Sequence, residues 1–298
     1  MIRISLIIAT YNRAEALMQA LGSVVEQTLP AEWWECVVVN NRSTDDTAQR
    51  FEAFTKGYPH LNLRMVEECE PGVSAARNRG MAEAKAPLVA IIDDDERINP
   101  AFLSAYLHFF ETHPAAIVAG GKIIAEYPDG RPAWLSKWVE RPIANPLDCG
   151  EQTRPFPRGR IPGGGNMALR LAGLAPYGVF DPQLGRSQSA LGGGEESDLF
   201  ERLQRGGESL WYLPEAVIWH RIPAGKLTDT YFRNLCYGVG VSQRLRAERY
   251  HRLVGATLRE VGKWGATLLL LLTLRPLQGR WLLKMRREIA RGFFSARH

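Results

Sequence analysis

Leu88-Val89-Ala90-Ile91-Ile92-Asp93-Asp94-Asp95 is the stretch on which the fold turns. Five apolar residues, three of them β-branched, read as a buried strand, and three adjacent carboxylates end it. Working backwards, residues 73–84 carry a helical pattern started after Pro71-Gly72, and residues 61–66 read as another strand. Earlier still, the strand at residues 36–39 runs into Asn40-Asn41-Arg42-Ser43. Residues 44–54 then predict a helix capped by Ser43 or Thr44, with Asp45 and Asp46 in its first turn. The chain opens with the apolar strand at residues 4–9, the turn Thr10-Tyr11-Asn12 and a helical pattern over residues 14–27. Forwards, residues 100–110 predict a helix and residues 116–124 a strand. Strands alternating with helices at this spacing define an α/β fold with a mostly parallel sheet and helices on both faces. Ligands of such sheets bind beyond the carboxyl ends of the strands, where every polar cluster quoted so far falls.

Three carboxylates at one strand end repel one another unless a cation or strong donors compensate. Oxygen ligands suit a hard divalent cation, Mn²⁺ or Mg²⁺, which would also bridge phosphate oxygens. The other reading is an exposed acidic turn that caps the next helix. A dehydrogenase-type dinucleotide fold would carry G-x-G-x-x-G after the first strand, and Thr10-Tyr11-Asn12 stands there instead.

Residues 126–163 change character, with Pro128, Pro132, Pro142, Pro146, Pro155, Pro157 and Pro162 breaking regular structure. Gly163-Gly164-Gly165-Asn166 follows, and Gly192-Gly193-Gly194 opens a helix over residues 195–205 whose first turn holds Glu195, Glu196 and Asp198. The helix dipole favours ionised carboxylates there. Two short strands, 210–213 and 216–219, close this part at His220. Trp134, Trp138 and Trp211 offer aromatic faces for ligand stacking or for packing.

The 298 residues hold 37 Lys/Arg and 32 Asp/Glu, unevenly distributed. Residues 221–298 carry 16 Lys/Arg against 4 Asp/Glu, leaving 21 against 28 in residues 1–220. A basic tail on a slightly acidic body points to an anionic partner surface for the tail. Nucleic acid is not expected, since no binding module accompanies the charge. Residues 264–274 are apolar for about 16 Å of helix, roughly half a bilayer core, so a full span is not expected. Over residues 280–293, Arg280, Lys284, Arg287 and Arg291 share one helix face, with Leu282, Met285, Ile289 and Phe293 opposite. That pattern suits the surface of an anionic membrane, or packing on the body of the protein or on a partner chain. Cys36, Cys69, Cys149 and Cys236 are scattered, and no basic or cleavable leader precedes the first strand, so the cytosol is the expected compartment.

Five segments, in order over residues 3–221, resemble the family 2 glycosyltransferases, inverting enzymes with the GT-A fold. They are Ser5-Leu6-Ile7-Ile8-Ala9-Thr10-Tyr11-Asn12-Arg13, Val38-Val39-Asn40-Asn41-Arg42-Ser43-Thr44-Asp45-Asp46-Thr47, Pro71-Gly72-Val73-Ser74-Ala75-Ala76-Arg77-Asn78-Arg79-Gly80, Ile91-Ile92-Asp93-Asp94-Asp95 and Gly194-Glu195-Glu196-Ser197-Asp198-Leu199. The resemblance implies a GT-A domain over residues 1–221, with a donor-binding half at 1–125 and an acceptor half at 126–221, followed by a helical region at 222–298. It also implies sugar transfer from a nucleotide-sugar donor to a lipid-linked or surface-glycan acceptor, with Mn²⁺ or Mg²⁺ as cofactor. Thr10 and Tyr11 would line the nucleobase pocket, and Arg77 and Asn78 the ribose and diphosphate. Asn41 stands where many members have an aspartate that reads the base, so uridine is not implied. Asp95 would be the main metal ligand, with Asp93 or Asp94 near ribose or bound water and Asp93 a further ligand candidate. His220 is a further ligand candidate or a rim histidine. Glu196 matches the catalytic base, with Glu195 next, and Asn166 is a candidate for donor-sugar or acceptor contact. The expected setting is peripheral, at the cytosolic membrane face. The alternative is a catalytically silent GT-A subunit that scaffolds a glycan-assembly complex.

Overall fold

The computed structural model describes residues 1–185 and 193–295. The alternation read from the sequence is present: β1 (Ile4–Thr10), α1 (Ala14–Val24), β2 (Trp34–Asn40), α2 (Thr47–Lys56), β3 (Leu63–Glu67), α3 (Val73–Glu83), β4 (Leu88–Asp93), β5 (Glu96–Ile98), α4 (Phe102–Thr112) and β6 (Val118–Glu126). Then come α5 (Arg141–Ala144), β7 (Arg154–Pro155), β8 (Met167–Arg170), α6 (Glu195–Arg205), β9 (Leu210–Arg221), α7 (Asp229–Arg249), α8 (Leu253–Leu271) and α9 (Pro276–Ser295). One sheet runs in the order β3-β2-β1-β4-β8-β6-β9-β5, with β7 beside β9. Strands β3, β2, β1 and β4 are parallel, and β8 pairs antiparallel to both β4 and β6.

The chain divides into two compact units. The first comprises residues 1–125, 146–183 and 195–221, and the second residues 126–145, 184–194 and 222–298. In the first, period-two alternation sends side chains to opposite faces of the sheet. Ile4, Leu6, Ile8, Cys36, Val38, Ala90 and Ile92 join Leu17, Leu21, Phe102 and Tyr106 of α1 and α4 in one core. Ile7, Val37, Val39, Val89 and Ile91 join Ala76, Leu199 and Leu203 of α3 and α6 in the other. A Cβ on Gly80 would collide with the Ile7 side chain, so glycine is what lets α3 close on β1.

Parallel register brings the strand ends together. Thr10 lies opposite Asn40, and Ala9 opposite Asp93. The two short strands expected at 210–213 and 216–219 are one strand. Pro214 falls between the stretch paired to β7 (Trp211, Tyr212) and the stretch paired to β5 (Ile218–His220), the kind of position a sheet tolerates proline. The cap expected from Ser43 or Thr44 is also different. α2 starts later, at Thr47, whose N–H donates to Asp45 Oδ1 (3.2 Å), while Ser43 Oγ accepts from the Asn12 N–H (2.9 Å).

The second unit is built on α7 and α9. The apolar face of α9 foreseen in the sequence is present but covered: Leu282, Met285, Ile289 and Phe293 are all buried. α7 and α9 cross at two glycines. A Cβ on Gly240 would strike the Ile289 carbonyl oxygen, and one on Gly292 the Tyr237 carbonyl oxygen. Trp134 stacks on Trp281 at 3.8 Å between ring centroids, with Phe232 edge-on to both. Trp134 is therefore a packing residue within this unit, not an open sugar platform. No described helix is long and apolar enough to cross a membrane.

Candidate active site

The site lies within the first unit, where β1, β2 and β4 end and α6 begins. The three aspartates face different ways. Asp94 is buried, its carboxylate accepting from Thr10 Oγ1 (2.9 Å) and Arg13 Nη1 (3.0 Å). Burial pushes the Asp94 carboxyl up, Arg13 opposes this, and neighbouring Asp95 adds to it, with the balance at about 6. Asp95 accepts from the same Arg13 nitrogen at 2.9 Å, and its Oδ1 lies 3.6 Å from His220 Nε2. Asp93 accepts from Arg77 Nη2 at 2.7 Å. Burial alone would lower the Arg13 guanidinium, but Asp94 and Asp95 outweigh it and raise it.

Arg77 links this cluster to α6. It is buried, and while Nη2 holds Asp93, Nη1 donates to Glu195 Oε1 at 2.7 Å. Its Nε has no hydrogen-bond partner. Glu196, the next residue, is pushed up to about 8 by burial and by the adjacent Glu195 carboxylate, against the pull of Arg77. The helix N-terminus alone would favour an ionised Glu196, and desolvation beside a second carboxylate wins. Gly164 reaches the same place: a Cβ there would lie 3.3 Å from Arg77 and 3.7 Å from the Glu196 carboxyl carbon. Gly193 and Gly194 precede the helix, whereas Gly192 lies outside the described residues.

Other residues singled out in the sequence have structural partners. Tyr11 is 37% exposed at the end of β1. Asn41 donates to the Glu68 and Glu70 carbonyls (3.0 and 2.6 Å) and accepts from the Gly72 N–H (2.8 Å). Asn78 donates to the Phe180 carbonyl (2.8 Å) and accepts from its N–H (3.1 Å), clamping that turn to α3. Asn166 is enclosed rather than open. It is fully buried, accepting from Tyr106 Oη (2.6 Å) and donating to the Lys122 and Ala216 carbonyls (2.9 and 3.0 Å), so its amide is occupied inside the fold. Trp211 packs against Phe109 and His113.

Sequence reasoning assigned no role to Arg13 or to the buried Glu96. Arg13 follows the β1 turn, and parallel pairing of β1 with β4 was the signal that would have set it beside the aspartates. Glu96 accepts from the Asp93 N–H (2.9 Å), and burial together with Asp93 and Asp95 raises its carboxyl well above the usual range. Gly165 is what accommodates it, since a Cβ there would overlap the Glu96 carboxylate.

For a divalent cation, Asp95 and His220 supply an oxygen and a nitrogen about as far apart as neighbours in one coordination shell. Among the described residues no group of three or more His, Cys, Asp or Glu side chains is gathered to hold an ion. A metal here would need further oxygens from a diphosphate and water, the habit of Mg²⁺-type sites.

A sheet whose parallel strands end in carboxylates, an arginine bridge and a glutamate pair belongs to the class of α/β proteins that bind ligands beyond the carboxyl ends of their strands. The profile of glycosyl transferase family 2 matches residues 5–173, and the chain belongs to that family. It is 31% identical over 127 residues to glycosyltransferase AglE of Haloferax volcanii, covering 43% of this chain and 41% of that protein. It is 29% identical over 118 residues to poly(ribitol-phosphate) beta-N-acetylglucosaminyltransferase TarS of Staphylococcus aureus, covering 40% and 20%. The chain thus spans less than half the length of these curated relatives. Among solved structures, mannosyltransferase PcManGT of Pyrobaculum calidifontis, in complex with GDP-Man and Mn²⁺, superposes with TM-score 0.65 at 17% identity, covering 99% of this chain and 88% of that one. S. aureus TarS 1–349 with UDP-GlcNAc gives 0.55 at 19%, covering 81% and 66%. These likenesses establish the GT-A fold.

Proposed function

We propose that this protein is an inverting glycosyltransferase that moves a sugar from a nucleotide-sugar donor to a lipid-linked or surface-glycan acceptor at the cytosolic membrane face. The observation that carries the reading is the line of charge from Asp93 through Arg77 to Glu195, which ties the aspartate cluster to the glutamate pair. Thr10, Tyr11 and Asn41 lie on the nucleoside side of that line, and Arg77 with the aspartates on the diphosphate side. TarS and PcManGT, related in fold, have been solved with UDP-GlcNAc and GDP-Man, and a donor of that chemical class fits this reading.

Glu196 accepts the proton of the acceptor hydroxyl as its oxygen attacks the anomeric carbon. The bond from that carbon to the nucleotide diphosphate breaks on the opposite face, inverting the centre. At about 8, Glu196 holds its proton at neutral pH and becomes the stronger base once ionised, so transfer should rise as pH approaches that value. Glu195, held by Arg77, fixes the start of α6 and with it the Glu196 carboxylate. Mn²⁺ or Mg²⁺, held by Asp95 with Asp93 and His220 near it, would neutralise the departing diphosphate.

A thermal-shift panel of sugar nucleotides tests this. One donor should raise the melting temperature in a concentration-dependent way only when Mn²⁺ or Mg²⁺ is present. Transfer should vanish in Asp95→Ala. It should fall about a hundred- to ten-thousand-fold in Glu196→Gln with donor binding kept. Metal-independent transfer by the wild type, or full activity in Asp95→Ala, would overturn the metal assignment, and an active Glu196→Gln the base. Absence of transfer with every donor would favour a scaffolding role.

A further inference from the structure

α8 carries an uncovered apolar stripe. Val254, Leu258, Val261, Leu268, Leu269 and Leu272 are all strongly exposed, Val254 at 76% and Leu272 at 84%. At the α-helical period they fall within about 100° of one another, along about 27 Å of axis. The opposite side of α8 is occupied. Ala256, Glu260 and Thr267 are buried there, and Thr267 Oγ1 accepts from Arg286 Nε of α9 at 3.2 Å. The helix therefore has one face fixed to its own unit and one continuous apolar face in water. Isolated exposed leucines are common, but a contiguous stripe of this size marks an interaction surface.

The surrounding charge selects the partner. Exposed Arg252 and Arg275 stand at the two ends of the stripe, and half-buried Trp264 borders it. Residues 221–298 carry 16 Lys/Arg against 4 Asp/Glu. A second copy of the chain would bring arginines of like charge together, whereas anionic lipid headgroups complement them. The helix is too interrupted by charge, at Arg259, Glu260 and Lys263, to cross a bilayer, and an apolar face with basic ends suits a helix lying in the interface plane. α9, the helix the sequence favoured for this role, has its apolar face buried.

We infer that α8 is the surface by which this chain lies on an anionic lipid bilayer, its apolar stripe entering the boundary between headgroups and acyl chains. The inference rests on the membrane-face reading above for its setting, and its test needs no sugar donor, so it stands or falls apart from catalysis.

The test is co-sedimentation of the full chain with phosphatidylcholine vesicles, with and without phosphatidylglycerol, for wild type and Leu268→Asp/Leu272→Asp. Both positions are exposed, and unchanged circular dichroism and melting temperature would verify the fold. Wild type should bind the phosphatidylglycerol vesicles well above the neutral ones. The double substitution should weaken that binding about a hundred-fold. Equal binding of variant and wild type to anionic vesicles would remove α8 from the contact while leaving membrane association in place. No wild-type binding, or equal binding to neutral vesicles, would overturn the anionic-bilayer assignment. A wild-type dimer by light scattering that the double substitution turns into a monomer would identify the stripe as a subunit interface and overturn the proposal.

Discussion

Asn41 makes three hydrogen bonds with one amide, two as donor to the Glu68 and Glu70 carbonyls and one as acceptor from Gly72. An aspartate there would keep the acceptor and lose both donors, setting its charge against two carbonyl oxygens. This gives the amide a reason apart from base recognition: it holds the loop ahead of α3. Asn41→Asp should therefore lower stability by about 1–3 kcal/mol in urea unfolding. Donor affinity should fall through loss of loop order more than through change of base preference. The same scale explains what the sequence left hidden. Three adjacent aspartates announce a charged strand end by themselves. That Arg13 answers two of them, and that Asn166 is enclosed by Tyr106, Lys122 and Ala216, depends on partners far along the chain that no local pattern reveals.

Among elements, the alternation of apolar strands and helices through β6 was legible because each obeys its own period, except for the three-residue β5, which nothing in the sequence announced. Three further features were not. β8 joins β4 antiparallel, a matter of tertiary pairing that a four-residue strand does not advertise. β9 runs through Pro214 because its neighbours change there. In the tail, α8 and α9 both have apolar faces, and only packing decides which is covered. The crossing of α7 and α9 makes that choice through Gly240 and Gly292, where backbones meet with no room for a Cβ. Gly240→Ala gains helix propensity yet forces the helices apart. We expect a net loss of about 1–3 kcal/mol, measurable as a lower thermal midpoint. An unchanged midpoint would mean that the crossing adjusts without cost.

Across the whole molecule, the raised carboxyls around the site give stability a pH dependence. Glu196 titrates near 4.5 when unfolded and about 8 when folded, so between those values the folded chain holds a proton that the unfolded chain has lost. Stability conferred by that proton is present near the lower value and declines as pH rises towards the upper one. Asp94, raised to about 6, adds the same sign over a narrower window. The melting temperature should drop by a few degrees from about pH 5 to about pH 8, and Glu196→Gln should flatten the upper part of that slope. A melting temperature that rises across this interval would contradict the assignment.

The first unit is assembled from three separated stretches of chain, the last of them residues 195–221. During synthesis this has a timing consequence. Asp93, Asp94 and Asp95 leave the ribosome long before Glu195 and His220 are made, a delay of roughly 5 to 25 s at ordinary elongation rates. Until residue 170 is made β4 lacks its partner β8, and until residue 195 is made Arg77 lacks its glutamate. Arg13 and Arg77, already made, are the cations of the site available to keep the nascent aspartates from repelling one another. The positive charge that balances the aspartates is thus in place before the glutamates of the site are made.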